Sequence, residues 1–194
     1  IGEGDEVIVN SFTCDALDYA VSITKAKPIY IDIEEDLKMN YIQLKSKINK
    51  KTKAVIIQNT FGKLGLSPEN IESLNAKGIL TIVDDSLSYG SKLKGIPLSQ
   101  FGDISVCSFE CTKTITLGGG GILRLNNQKL KDRINSKYLT LNRTDLLEDI
   151  RKFMQLWFSL FFQQYPSIFG PFIWFLFKVI GIIKGSADQN KKDL

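Results

Sequence analysis

Short apolar runs rich in β-branched residues recur six times in the first two-thirds of the chain, at residues 7–9, 29–33, 54–57, 79–83, 104–107 and 121–125. Helical patterns separate several of them. Residues 15–24 place Ala16, Tyr19, Ala20 and Ile23 on one face, residues 41–48 place Ile42, Leu44 and Ile48, and residues 68–75 place Ile71 and Leu74. The last of these opens with a start signal, Ser67 as the N-cap and Pro68 at the first helical position. Parallel strands need crossover connections, and the crossovers cover both sheet faces, so each strand reads as a near-continuous apolar run. The pattern therefore predicts an α/β fold with a mostly parallel sheet flanked by helices. At 194 residues with 43% hydrophobic and 24% charged residues, the chain can bury a sizeable core.

Composition removes several chemistries. There is no histidine, which excludes a Ser-His-Asp triad, a Cys-His dyad, histidine-ligated zinc and a histidine general base. Proton transfer must fall to Lys, Asp, Glu, Tyr or Cys. Three cysteines, Cys14, Cys107 and Cys111, make an odd number without framework spacing, so a reducing, cytoplasmic setting is expected. The net charge of +4 owes much to scattered lysines such as Lys45, Lys47, Lys50 and Lys51, and it does not call for a nucleic-acid partner. The chain opens at Ile1 on a turn before a strand, which reads as a fragment of a longer protein.

Parallel sheets bind ligands at the carboxyl ends of their strands. Polar residues gather there: Asn10, Ser11 and Thr13 after the first run, Gln58, Asn59 and Thr60 after the third, Asp84 and Asp85 after the fourth, and Ser108 after the fifth. Lys113 follows in the next loop, ahead of four consecutive glycines, residues 118–121. A lysine amine can condense with an aldehyde cofactor, and nearby hydroxyls, backbone amides and glycines suit a phosphate. Asp84 alone reads as a turn or cap residue. A metal at Asp84 and Asp85 would lack a third acid nearby. Paired with Lys113, Asp84 takes a sharper role, because pyridoxal phosphate needs a carboxylate at its ring nitrogen and a lysine at its aldehyde.

Residues 4–125 resemble the middle of the large domain of the DegT/DnrJ/StrS family of sugar aminotransferases, of the fold type I class. The resemblance is carried by Gly4-Asp5-Glu6-Val7-Ile8-Val9 with Ser11-Phe12-Thr13, by Ala26-Lys27-Pro28 and the strand after it, and by Phe61-Gly62. It continues through Ile82-Val83-Asp84 with Gly90, Lys94-Gly95, Phe101-Gly102-Asp103, Ser108-Phe109, Thr112-Lys113 and Gly120-Gly121. It implies that Lys113 is the cofactor-carrying lysine and general acid/base, that Asp84 holds the pyridine nitrogen, and that Ser108 binds the cofactor phosphate. It implies transfer of an amino group, from glutamate, to a keto sugar that is nucleotide-linked, in amino-sugar or cell-surface polysaccharide biosynthesis. It also implies a homodimer. A family subgroup that removes a sugar hydroxyl carries histidine at the lysine position, so Lys113 favours transamination.

Four positions depart from the family pattern. Cys14 stands where an aromatic ring covers the cofactor, Leu87 where glutamine follows the aspartate, Asn59 where histidine is common, and Gly119 where an acid precedes the closing glycines. These departures, with an apolar tail region, motivate the alternative of a catalytically silent relative acting as a binding or membrane-associated module. The chain divides into residues 1–127, the central part of the cofactor-binding domain, and 128–194, a helical, apolar-rich segment at 155–185 with a polar tail. Residues 145–163 read as an amphipathic helix. The aromatics of 155–185, with Lys178 and Lys184, suit a membrane surface or a buried insertion rather than a full crossing.

Overall fold

The computed structural model describes residues 1–110, 112–140 and 145–164, with Phe175 and Val179. Five parallel strands form the body of the sheet: β1 (Glu6–Asn10), β2 (Lys27–Ile31), β3 (Thr52–Gln58), β4 (Leu80–Asp84) and β7 (Ile104–Ser108). A sixth, β8 (Gly121–Leu125), pairs antiparallel with β7 at the edge, giving the order β2-β1-β3-β4-β7-β8. Between β4 and β7 lies a small hairpin, β5 (Lys92–Leu93) and β6 (Ile96–Pro97). Lys94 and Gly95 turn it with φ of 48° and 84°, the left-handed pair that a two-residue hairpin requires.

Directly paired residues share a sheet face, and alternation sends their neighbours to the other. Helix α1 (Asp15–Ile23) covers one face, packing Leu17 and Val21 on Val7, Val9 and Ala54. Helices α2 (Tyr41–Lys47) and α3 (Pro68–Ala76) cover the other, packing Leu44, Ile71 and Leu74 on Ile8, Ile31, Val55 and Ile57. The expected caps form: Ser67 Oγ accepts from Asn70 N–H, and Asn40 Oδ1 accepts from Gln43 N–H at 2.8 Å. The chain leaves β1 toward β2 on one side and returns past it to β3 on the other. The sheet therefore has its switch point between β1 and β3.

The expected strands appear within a residue or two, except that Ile33 makes only an isolated bridge to Met39 beyond the end of β2. The hairpin and helix α4 (Gln128–Tyr138) were not foreseen. Helix α5 (Leu146–Gln164) matches the amphipathic pattern expected at 145–163. No described helix is long and apolar enough to cross a membrane. Most of the apolar segment 155–185 lies outside the described residues.

Two glycines of the run are packed closely. A Cβ on Gly121 would lie 2.4 Å from the Cys107 carbonyl oxygen, and one on Gly118 would lie 3.2 Å from Leu156 Cβ of α5. Phe109 N–H donates to the Gly120 carbonyl at 2.9 Å. Close approach of α5 and β7 therefore accounts for glycine at 118 and 121, whereas a Cβ on Gly120 would meet nothing within 4 Å.

Among the described glycines, Gly65 leaves the least room for a side chain. A Cβ there would meet the Gln58 carbonyl oxygen at 2.2 Å, a backbone atom that cannot swing away. Gly65→Ala is expected to lower stability by about 1–3 kcal/mol, as overpacking does, read as a fall in the urea midpoint. Ser67→Ala removes only a cap and is expected to lower stability by about 1 kcal/mol.

Candidate functional site

At the carboxyl edge of the sheet, on the α1 side, opens a cavity of about 210 Å³. Its wall is drawn from four chain segments. Phe12, Thr13 and Cys14 come from the β1–α1 turn, Gln58 and Phe61 from the end of β3, Asp84, Ser86 and Leu87 from the end of β4, and Lys113 from the loop after β7. The location follows from the strand order, since turns diverge at a switch point and leave a crevice.

Asp84 is the last residue of β4 and half-buried. It pairs with Gln58 on β3 and Val106 on β7, so all three side chains share the cavity face. Its Oδ1 accepts from the Ser86 N–H at 3.0 Å, a turn-stabilising contact. The turn reading of Asp84 is met by this one oxygen, and Oδ2 accepts no hydrogen bond from any described residue. Across the cavity, Thr13 Oγ1 donates to Gln58 Oε1 at 2.6 Å, tying the first turn to β3.

Lys113 is half-buried, and its backbone N–H donates to the Glu110 carbonyl at 3.0 Å. Among the described residues its ammonium joins no ion pair. The structure thus brings Asp84 and Lys113, 29 residues apart in sequence, to one cavity. An aldehyde-bearing pyridine fits that donor set, with the amine at one end and the carboxylate at the other.

Ser108 stands apart from that wall. It ends β7, two residues past Val106 and on the same face as Asp84. Its N–H donates to Ser86 Oγ at 3.2 Å, and its own Oγ receives the Glu110 N–H at 3.4 Å. Ser86, not Ser108, is the serine in the lining, and sequence reasoning missed it. The signal was its place two residues after a strand-end aspartate, where a side chain returns to the face of the first. Phe12 and Phe61 also escaped assignment. They supply rings to the wall where Cys14 supplies none.

Asp85 goes the other way. Alternation turns it to the α2/α3 face, where it is buried. Asp84 and Asp85 therefore face opposite sides of the sheet, which removes the metal alternative for that pair. Asp85 Oδ1 accepts from Asn59 Nδ2 at 2.6 Å. Burial pushes its carboxyl above the usual carboxylate range, against the pull of the Asn59 hydrogen bond and with a further push from Asp84. Burial, together with the charges of Asp85 and Asp84, also raises the Cys107 thiol, while Lys113 acts to lower it.

The sequence model of the DegT/DnrJ/EryC1/StrS aminotransferase family matches residues 1–150. The GDP-perosamine synthase of Escherichia coli O157:H7 is 38% identical over 134 residues, 69% of this chain and 37% of that protein. Among solved structures, a DegT/DnrJ/EryC1/StrS aminotransferase from Brucella abortus superposes with a TM-score of 0.64 at 31% identity, over 70% of this chain and 39% of that one. A putative sugar aminotransferase from Streptococcus pneumoniae, in its pyridoxal-phosphate form, gives 0.63 at 26% identity, over 71% and 39%. The chain thus spans less than two-fifths of the length of these relatives.

The raised Asp85 carboxyl sets a pH dependence. The folded state holds this proton more tightly than the unfolded chain does. Its contribution to stability is therefore complete below the ordinary carboxylate range and fades as pH rises through the raised value. Thermal melts of Asp85→Asn between pH 4 and 8 are expected to show a flatter profile than the parent chain, with the gap opening on the alkaline side.

Proposed function

The chain belongs to the DegT/DnrJ/EryC1/StrS aminotransferase family, and we propose that it forms the cofactor-holding part of an enzyme that aminates a keto sugar. The observation that carries this reading is the meeting of Lys113 and Asp84 in one cavity at the switch point of the sheet. The family's members depend on pyridoxal phosphate, which when bound supplies an electron sink for the pair released from a C–H bond next to nitrogen.

The residues of this chain have separate tasks in that reading. The Lys113 amine would hold the cofactor by its aldehyde and would serve as the acid/base that holds the moving proton. The Asp84 carboxylate would hold the ring nitrogen, with its Oδ1 fixed by the Ser86 N–H. Ser108 is assigned to the phosphate, at the end of β7 on the Asp84 face. Phe12 and Phe61 lend apolar rings to the wall. Glutamate is the proposed amino donor and a nucleotide-linked keto sugar the acceptor, in amino-sugar or surface-polysaccharide biosynthesis. The proposed setting is cytoplasmic, as a homodimer, with residues 155–185 as an apolar helical segment that touches a membrane surface.

A second reading is favoured by the wall itself. Leu87 and Cys14 line the cavity, and neither offers the glutamine amide or the ring that the family pattern places there. Under this reading the chain keeps the fold without the chemistry.

The experiment is titration of the purified chain with pyridoxal phosphate, followed by borohydride and peptide mapping. A visible absorbance band and reductive fixation of the cofactor on Lys113, both lost in Lys113→Ala, are expected. Asp84→Ala is expected to weaken uptake by about tenfold or more, the scale of one charged hydrogen bond. Absence of fixation on the parent chain, repeated with both ends extended, would favour the silent relative.

A further inference from the structure

We propose that Asn59, Asp85 and Ser88 form a buried clip that fixes the cavity wall from the far side of the sheet, with Asn59 and Asp85 as positioning residues for Phe61 and Asp84. The inference deepens the cofactor reading of the cavity and rests on it only for its last step.

The cavity wall depends on two loops that belong to no helix or strand. The loop after β3 carries Phe61, and the loop after β4 carries Ser86 and Leu87. Their order comes from side chains that are nearly inaccessible: Asn59 is 0% exposed, and Asp85 and Ser88 are each 2% exposed. Asn59 uses both ends of its amide, donating from Nδ2 to Asp85 Oδ1 at 2.6 Å and accepting at Oδ1 from the Gly65 N–H at 2.8 Å. Ser88 Oγ donates to the Asn59 carbonyl at 2.6 Å and accepts from the Gly62 N–H at 3.0 Å. The two loops are thus stitched at three points, on the face opposite the cavity.

Phe61 shows why the stitching is needed. Its φ is +51°, in the left-handed region that a bulky residue enters only when its surroundings hold it there. The amide that follows it, Gly62 N–H, is the one Ser88 captures, and the loop re-enters at Gly65, the amide Asn59 captures. Phe61 stands 69% exposed, so its own packing does little to fix it. At the other end of the clip, Asp85 is bonded to Asp84 through one peptide. Its N–H is committed to the Val106 carbonyl at 2.8 Å. Displacing the Asp85 side chain would therefore disturb the strand end that aims Asp84. A buried carboxyl is unfavourable unless specific partners hold it, and here one of them is the loop anchor itself.

The test is a side-chain exchange. Asn59→Asp sets two buried acids against each other. The double change Asn59→Asp with Asp85→Asn restores one donor facing one acceptor, and leaves an oxygen for the Gly65 N–H. Ser88→Ala removes the Gly62 acceptor without adding charge and serves where Asn59→Asp fails to fold. Two quantities are read on the full chain: amide hydrogen exchange at Gly62 and Gly65 without cofactor, and pyridoxal phosphate affinity with its visible band.

Asn59→Asp is expected to speed exchange at both glycines by about tenfold or more, and Ser88→Ala to do so at Gly62, the scale of one lost buried hydrogen bond. The β1 and β3 core amides should stay protected. Affinity is expected to fall in parallel, and the double exchange to bring both readings back toward the parent. Unchanged exchange at Gly62 and Gly65 in Ser88→Ala and Asn59→Asp would overturn the clip. Faster exchange with parent-like affinity and band would overturn its role in the cavity. If the parent chain takes up no pyridoxal phosphate, the cofactor reading fails, and the exchange measurements alone uphold or overturn the clip.

Discussion

Register at the carboxyl end of β4 is the constraint on which the site depends. β4 runs between β3 and β7, and its last residue is held on both sides. Asp84 pairs with Gln58 and Val106, its carbonyl accepts the Asn59 N–H at 2.9 Å, and the next amide, that of Asp85, is committed to Val106. These backbone contacts fix which way each side chain leaves the strand. A slip of one residue would send Asp84 into the α2/α3 core and Asp85 into the cavity, because the side-chain period is two. The apolar alternation beneath them prevents the slip. Val83 is buried against the α2/α3 side, and Thr81 on that side is fully enclosed with hydrogen bonds to Asn75 and Asp103.

Much of this was legible in the amino-acid sequence. The strand runs, the three helices that cover the sheet and the Ser67-Pro68 start were visible because period and capping are local properties. The meeting of Asp84 with Lys113 was readable from the rule that parallel sheets gather their polar residues at one edge. Three things were not readable. The hairpin at Lys92–Pro97 is too short for a period, and only its Lys94-Gly95 turn marks it. The packing at Gly118 and Gly121 was hidden because close approach has the same sequence signature whether the visitor is a phosphate or a neighbouring strand and helix. The partnership of Asn59 with Asp85 spans 26 residues and forms on the face that helices hide, so neither residue announces the other.

The wall of the cavity draws its rings from positions other than Cys14. Cys14, at the N-cap of α1, provides no ring and no side-chain cap for that helix. Phe12, two residues earlier, lines the same cavity, and Phe61 joins it from the adjoining loop. Leu87 makes the β4 side more apolar than an amide would. The charged groups in the lining are Asp84 on the sheet and Lys113 on the loop. In a cavity with apolar walls each acts with less screening than it would in water.

Two acids stand in sequence at the end of β4. Asp84 and Asp85 share a peptide bond, and two ionised carboxylates so close would repel each other and draw the lysine in competing directions. The fold resolves the conflict by environment. Asp85 is buried on the helix-covered face, where desolvation favours its proton and Asn59 supplies a donor. Asp84 stays on the face open to the cavity, with the Ser86 N–H as its only hydrogen-bond donor among the described residues. Opposite environments set the neighbouring carboxyls apart: one is held among the loops on the helix-covered face, the other lines the cavity. The strand delivers both from a single Asp-Asp step, and pleating alone decides which is which.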